Sequence, residues 1–165
     1  MKYTKPLLSA LFLMSLAACN KDKNKKSELY IGDNSISTRN VEGYYIMGEP
    51  ELYLKDKVDG KTIHFGLNFN IHKFPTSGSF ILSYGGTGDS LVPIGFVLDQ
   101  IQYYTDKHNQ TKLDAYEYNG RGKYMINPTW FYSYYPDPTN SYYIKGNDSI
   151  LVSGTIYEPI DITVR

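Results

Sequence analysis

Residues 61–74 alternate between apolar and polar side chains, and this is the clearest single periodicity in the chain. The apolar positions are Ile63, Phe65, Leu67, Phe69 and Ile71. A two-residue period is typical of a β-strand with one buried and one solvated face. Burying five such side chains contributes roughly 8–15 kcal/mol, whereas ordering the backbone of the strand costs roughly 11–22 kcal/mol. The strand therefore needs partners, and we expect a sheet built over its apolar face.

Shorter stretches of the same kind follow along the chain, separated by turn-forming residues. The predicted strands are 43–47, 51–55, 61–74, 79–84, 96–104, 112–118, 123–126, 129–135, 141–145, 149–157 and 160–164. Turns are predicted at 59–60, 119–122 and 146–148, because Gly, Asn and Asp favour the backbone of tight hairpins. Segments with a helical period are almost absent after the leader; the nearest is 96–104, where Val97, Ile101 and Tyr104 have helical spacing but a strand fits nearly as well. We therefore expect an all-β domain, a single antiparallel β-sandwich or small barrel with little or no helix outside the signal peptide.

The first 18 residues have the composition of a secretory signal peptide. Lys2 and Lys5 form a short basic segment, residues 6–16 are mainly apolar, and small residues follow. The apolar run is too short to span a membrane. We therefore expect residues 1–18 to be removed as a signal peptide, and the residues at its end indicate the lipoprotein type.

The end of this leader reads Leu16-Ala17-Ala18-Cys19, which resembles the lipobox of bacterial lipoproteins. The resemblance covers only the leader, and it implies that Cys19 becomes the first residue and carries a palmitate-type lipid anchor. Cys19 is the only cysteine, so no disulfide partner competes for it. The alternative is an ordinary secreted protein with a chance cysteine. In the lipoproteins that the chain resembles, Asn20 in place of an aspartate favours the outer membrane.

Residues 19–27 contain no apolar side chain after Cys19, and are predicted to be a lipidated cysteine followed by a flexible basic tether. The β domain is predicted to span residues 28–165. The chain has 17 basic and 17 acidic residues, and six lysines and one aspartate precede residue 28, which leaves 11 basic and 16 acidic groups and a net charge of −5. Because nucleic-acid binding needs clustered basic residues, no nucleic-acid partner is expected.

Patterns that would indicate catalysis or metal binding are weak. His64 and His72 share one side of the predicted strand, but roughly 26 Å apart, which is too far to share a metal ion. Glu49 and Glu51 have the spacing of an acid pair, but Pro50 between them indicates a turn with exposed acids. Nucleophile motifs around Ser, Cys or Thr are not recognisable. The sequence therefore predicts no metal, no cofactor and no enzyme activity.

Residues 130–143 are half aromatic and form the strongest candidate for a binding surface. In a strand over 129–135, Trp130, Tyr132 and Tyr134 share one face, whereas Phe131 and Tyr135 share the other. One core cannot bury both faces, and rigid amphipathic rings favour sugar- and protein-binding surfaces. The predicted binding residues are Trp130, Tyr132, Tyr134, Tyr142 and Tyr143. The alternative is cross-strand tyrosine pairing that stabilises a solvated sheet face.

Two short motifs bear on modification. Asp89-Ser90-Leu91 and Asp148-Ser149-Ile150 resemble the Asp-Ser/Thr-aliphatic acceptor of O-glycosylation in Bacteroidota. The resemblance implies glycosylation of Ser90 and Ser149, although Asp-Ser is also common in turns. A lipobox followed by a Tyr-, Asn- and Gly-rich β domain is similar in overall character to small envelope lipoproteins of that phylum.

These features predict a lipid-anchored protein of the cell envelope whose β domain binds or scaffolds rather than catalyses. The expected partners are the membrane, through Cys19, and a glycan or an envelope protein, through the aromatic hairpin at 130–143. The first alternative is an accessory subunit of an outer-membrane complex. The second is an enzyme or enzyme inhibitor with a site assembled from loops.

Replacing Cys19 with alanine tests the anchor. The Cys19→Ala chain has no thiol to accept a lipid, so it should remain uncleaved or become soluble when cells are fractionated. Metabolic labelling with a fatty acid should mark the unaltered chain and not the variant. A variant that still fractionates as a mature, lipid-labelled species would show that the motif is accidental.

Overall fold

The computed structural model describes residues 25–84, 88–106, 108, 110–139 and 143–164. These residues form strands and turns without any α-helix, and they contain no apolar helix of membrane-spanning length. The strands are β1 Ser27–Ile31, β2 Asn34–Thr38, β3 Val41–Ile46, β4 Glu49–Val58, β5 Lys61–Asn68, β6 Gly78–Ser83, β7 Leu91–Leu98, β8 Ile101–Thr105, β9 Lys112–Tyr118, β10 Arg121–Pro136, β11 Tyr143–Tyr157 and β12 Ile162–Val164.

All these strands belong to one mixed sheet. Neighbouring strands follow the order β12-β3-β4-β5-β7-β6-β9-β10-β11-β1-β2, and β8 pairs with both β7 and β10. β8 lies between β7 and β10 beside the β6–β9 pair. The sheet is ring-like, because β2 near one end comes beside the β4–β5 turn, where the Asn34 amide donates to the Asp59 carboxylate at 3.0 Å. The all-β prediction is confirmed, although β6–β7 and β3–β12 are parallel pairs.

The inner face of the ring forms the hydrophobic core. Ile63, Phe65 and Leu67 of β5 are completely buried, which confirms the predicted alternation of this strand. Phe65 packs against Phe96 of β7 and Phe131 of β10, with ring centroids 6.1 and 6.3 Å away. Each such side chain contributes about 1.5–3 kcal/mol when it is fully buried, so three strands are joined by one aromatic layer.

Strand β5 ends at Asn68, and the predicted continuation to residue 74 is wrong. The Phe69 N–H still donates to the Pro50 carbonyl at 2.9 Å, but the Ile71 N–H donates back to the Phe69 carbonyl at 2.7 Å. Phe69 and Phe74 then pack edge to face with centroids 6.1 Å apart. The apolar pattern therefore continues past the strand as an aromatic cluster within the core.

Strand β10 is 16 residues long and pairs with three others. Residues 121–126 pair with β9 and residues 131–134 with β8 on one edge, while β11 occupies the other edge. A bulge lies between Ile126 and Thr129, and both of these side chains are buried. Pro128 has no N–H for the ladder, and the Asn127 amide donates to the Lys112 carbonyl at 2.9 Å. The two strands predicted at 123–126 and 129–135 are thus one strand.

Two further boundary predictions are wrong. The predicted strand 96–104 covers the end of β7 and the start of β8, which are separated by Asp99 and Gln100 with φ of 52° and 71°. The turn predicted at 146–148 lies inside β11 as a bulge, because Tyr132 pairs with residue 149 and Tyr134 with residue 145. The second error arises because Gly, Asn and Asp serve bulges and turns alike. The first arises because the Asp99-Gln100 turn contains no glycine to indicate it.

The first two strands, β1 and β2, are not predicted from the sequence. β1 begins at Ser27, the last residue assigned to the tether, which is completely buried. Its hydroxyl accepts a hydrogen bond from the Tyr157 N–H at 3.0 Å. The ordered sheet therefore starts one residue before the predicted boundary, because a small polar side chain with a backbone partner is tolerated in the core.

Gly154 marks a close approach between β11 and β1. It has a φ of 147° and pairs with Leu29 of β1 on one side and Ile126 of β10 on the other. A Cβ at this position would collide with the Glu28 carbonyl oxygen and lie 2.8 Å from the Leu29 Cα. Because both obstacles are backbone atoms of a paired strand, they cannot move aside without loss of pairing.

We expect Gly154→Ala to destabilise the domain by about 3 kcal/mol, since the backbone clash adds to the strain of the positive φ. Gly120→Ala is the matched control, because Gly120 also has a positive φ of 76° but no atom within 4 Å of an added Cβ. That control should cost about 1 kcal/mol. Urea unfolding followed by circular dichroism measures both, and equal losses would contradict the close approach.

Candidate functional site

The predicted aromatic residues lie mainly on the outer face of β10. Trp130 is 53% exposed, Tyr132 and Tyr134 are half-buried, and Phe131 is completely buried in the core. The predicted division into two faces is therefore present. Tyr135 shares the face of Phe131 but is exposed, because β8 pairs with β10 only as far as residue 134.

Tyr143 is the first residue of β11 and is exposed. Its hydroxyl accepts a hydrogen bond from the Gln102 amide of β8 at 3.3 Å. The structure thereby brings Tyr143 to the rim of the outer face of β8. Tyr142, the other tyrosine predicted at this end of the hairpin, lies outside the described residues.

The predicted modification sites are separated from one another. Cys19 lies outside the described residues. Ser90 is exposed in the connection before β7, and Ser149 is exposed on β11, where it pairs with Tyr132. Of these positions, only Ser149 adjoins the aromatic face of the sheet.

An intramolecular cation covers the ring of Tyr132. The Lys145 ammonium lies 3.5 Å from the ring centroid, and it forms an ion pair with the Asp106 carboxylate at 2.8 Å. The hydrogen bond to Asp106 raises the pKa of Lys145, so the ammonium remains protonated. A cation–π contact of this kind occupies one face of a ring. One face of the Tyr132 ring is therefore covered by the protein itself and is not available to a ligand.

Tyr134 belongs to a cluster with Tyr84, which follows β6, and Tyr104 of β8. The Tyr84 and Tyr104 centroids are 4.3 Å apart, and Tyr134 lies 5.3 and 5.6 Å from them. Burial raises the pKa of Tyr104, so its neutral hydroxyl can donate, and it does so to the Gln102 side-chain oxygen at 3.0 Å. The cluster forms one wall of a groove.

This groove crosses the outer face of β4, β5, β7 and β8. Tyr53, Gly66, Gly95 and Tyr104 are paired side by side across these four strands. Because the two central residues have no side chain, backbone forms a floor between two tyrosine rings. We call this feature the tyrosine groove; its volume is about 380 Å³. The lining residues are Glu51, Tyr53, His64, Gly66, Leu67, Asn68, Tyr84, Pro93, Ile94, Gly95, Phe96, Val97 and Tyr104.

The two rings lean over the glycines beneath them. A Cβ added at Gly66 would contact the Tyr53 ring at 3.4 Å, and one added at Gly95 would meet the Tyr104 ring at 2.5 Å. A side chain at position 95 would therefore displace Tyr104. The shape of the tyrosine groove depends on both glycines.

Polar groups lie on both sides of the glycine floor. On one side, the Glu51 carboxylate accepts hydrogen bonds from the Tyr53 hydroxyl and from the Asn68 amide, the latter at 2.8 Å. On the other side, the exposed imidazole of His64 lines the groove. The tyrosine groove therefore combines aromatic faces with hydrogen-bonding groups.

The prediction that Glu51 is an exposed acid at a turn is wrong. Pro50 lies within β4, and the chain turns at residues 47–48. Glu51 is only 8% exposed, because it pairs with Tyr44 of β3 and Asn68 of β5 on a crowded outer face. Glu51 is thus part of the groove and not of a turn.

The sequence carried one signal for this site. Gly66 interrupts the strand with the clearest alternation in the chain, and a glycine inside a strand often marks a close approach of another group. Gly95 lies next to a stretch whose strand period was ambiguous. Their pairing, which creates the floor, depends on long-range register and is not readable from spacing.

Among the residues that the structure describes, no three His, Cys, Asp or Glu side chains are close enough together to hold a metal ion. Comparison of the chain with protein-family models, with curated proteins and with solved structures finds no match. The chemistry of the tyrosine groove is therefore the basis for assigning a function.

Trp130 is the only tryptophan of the chain, so its fluorescence reports on the outer face of β10. Because half of its surface is exposed, its emission should be red-shifted and readily quenched by iodide. Unfolding in urea should change the emission maximum only slightly. A blue, iodide-resistant emission from the folded monomer would contradict the exposed position.

Proposed function

We propose that the chain is a lipid-anchored protein of the cell envelope whose β domain binds carbohydrate in the tyrosine groove. The observation that carries this proposal is a glycine floor flanked by the rings of Tyr53 and Tyr104, with polar groups on either side. The anchor on Cys19 and the basic tether would hold the domain close to a membrane, which the lipobox resemblance and Asn20 indicate to be the outer membrane.

The geometry suits a sugar ring in two ways. Pyranoses have apolar C–H faces that pack on aromatic rings, and the two tyrosine rings offer such surfaces on opposite sides of the floor. Their hydroxyl edges need hydrogen-bond partners, which Glu51, Asn68 and His64 can supply. A volume of about 380 Å³ lies in the range of small-molecule sites.

Binding without catalysis is the better-supported mode. Glycoside hydrolysis ordinarily uses two carboxyl groups that flank the bond to be broken, about 5–9.5 Å apart. Among the described residues that line the tyrosine groove, Glu51 is the only acid. Its oxygens are also held by the Tyr53 hydroxyl and the Asn68 amide. We therefore assign Glu51 to recognition.

A second candidate function is that of an accessory subunit in an outer-membrane complex. Trp130 of β10 and Leu151 of β11 are paired residues on the outer face, and both are exposed. Exposed aromatic and aliphatic side chains in contact are typical of protein interfaces. This pair lies outside the tyrosine groove, so the two functions are compatible.

Removal of one ring tests the carbohydrate proposal. Tyr104→Ala should weaken binding about tenfold, because stacking contributes about 0.5–1.5 kcal/mol beyond burial. Binding of the full chain is measured on a glycan array and then by titration calorimetry with the best ligand.

The matched control is Tyr30→Ala, which removes an exposed tyrosine from the outer face of β1, away from the groove. It should leave affinity unchanged. Thermal unfolding of both variants separates a loss of binding from a loss of fold. An array without any carbohydrate ligand, or equal affinities of the two variants, would reject the tyrosine groove as the site.

A further inference from the structure

Glu51 is a buried carboxylate, and no cation is paired with it among the residues that the structure describes. It is 8% exposed, and within the described residues its hydrogen-bond partners are uncharged, namely the Tyr53 hydroxyl and the Asn68 amide. The ion pairs among the described residues, such as Lys61–Asp99, do not involve Glu51. Burial of a charged group is unfavourable unless its charge is compensated.

Glu51 and Asn68, on one side of the glycine floor, have hydrogen-bond acceptor sites without a donor in the described part of the protein. A carboxylate offers about four lone-pair sites, and Glu51 uses two of them on the donors described above. The side-chain oxygen of Asn68 is also buried, and it accepts no hydrogen bond from the described part of the protein. Both residues line the tyrosine groove, so this side is rich in acceptors and poor in donors.

The neighbouring ring adds a third feature. The hydroxyl of Tyr53 is fixed on the Glu51 carboxylate, so its ring stands beside the charge and borders the groove. Aromatic faces attract cations, most strongly when these are partly desolvated. A positive ligand group at this position would meet a carboxylate and a π face together.

We infer that the tyrosine groove selects sugars with a free amino group, whose ammonium is bound by Glu51. This inference rests on the proposed carbohydrate binding and specifies its substrate class. A sugar hydroxyl can also donate to Glu51, but only an ammonium supplies three donors and compensates the buried charge. Amino sugars within an oligosaccharide provide that group next to the C–H faces that the rings contact.

The test uses three probes of equal length with the full chain. They are a β-1,4-linked glucosamine tetrasaccharide, its fully N-acetylated form and the matching glucose tetrasaccharide. At about pH 6 an amine with a pKa near 8 is protonated. By titration calorimetry the free amine should bind about tenfold more tightly than either neutral probe, because hydrogen bonds to charged groups are the stronger ones. At about pH 9 this preference should disappear.

Two variants locate the charge that is responsible. Glu51→Gln should abolish the preference for the free amine over the two neutral probes, which is read as the ratio of affinities within the variant. Glu42→Gln is the matched control, because Glu42 also accepts from a tyrosine hydroxyl, that of Tyr44, on the neighbouring strand. Glu42 does not line the tyrosine groove, so this variant should keep the preference. If the two substitutions reduce the preference for the free amine equally, the preference arises from net charge and the inference is overturned.

The remaining outcomes separate this inference from the proposed function. Equal binding of the three probes, or binding of neutral carbohydrates alone, would overturn the amino-sugar preference and leave carbohydrate binding standing. A failure of every carbohydrate, on the array and in calorimetry, would overturn both. The comparison of free with acetylated amine uses the unaltered protein, so it is decisive even if Glu51→Gln fails to fold.

Discussion

The hydrogen bonds of β10 to three other strands hold the ring together. One edge of this strand pairs first with β9 and then with β8, while β11 lines the other edge. The inward face has to be buried along both halves, and the bulge between Ile126 and Thr129 changes which residues point inward. Without that extra residue, Phe131 would leave the core and Trp130 would enter it, because a shift of one residue exchanges the two faces of a strand.

The same alternation produces the core and the tyrosine groove from the same strands. In β5, Phe65 and Leu67 pack inward while Gly66 between them faces outward; in β7, Ile94 and Phe96 pack inward while Gly95 faces outward. The large inner side chains hold the two backbones in place. The missing outer side chains make room for the tyrosine rings that lean over the floor, so the floor of the site is the reverse side of a packed part of the core.

The sequence predicts what depends on local pattern. The buried face of β5 and the placement of Trp130 and Phe131 on opposite faces follow from a two-residue period, and both are present in the structure. The sequence does not predict what depends on pairing between distant segments. Gly66 and Gly95 form a floor only because β5 and β7 pair in one particular register, and Glu51 is buried only because its neighbours across two strands are large. Ser27 shows the same limit, since its partner Tyr157 is 130 residues away in sequence.

Glycine at the floor of the tyrosine groove also affects the entropy of binding. Gly66 and Gly95 have no rotamers to lose when a ligand arrives, and their backbones are already fixed by the strand pairing. The rings above them turn about two torsions each, and Tyr104 is further restrained by its contacts with Tyr84 and Tyr134. Most of the ordering that a binding site requires is therefore completed during folding, and ligand binding costs little further conformational entropy of the protein.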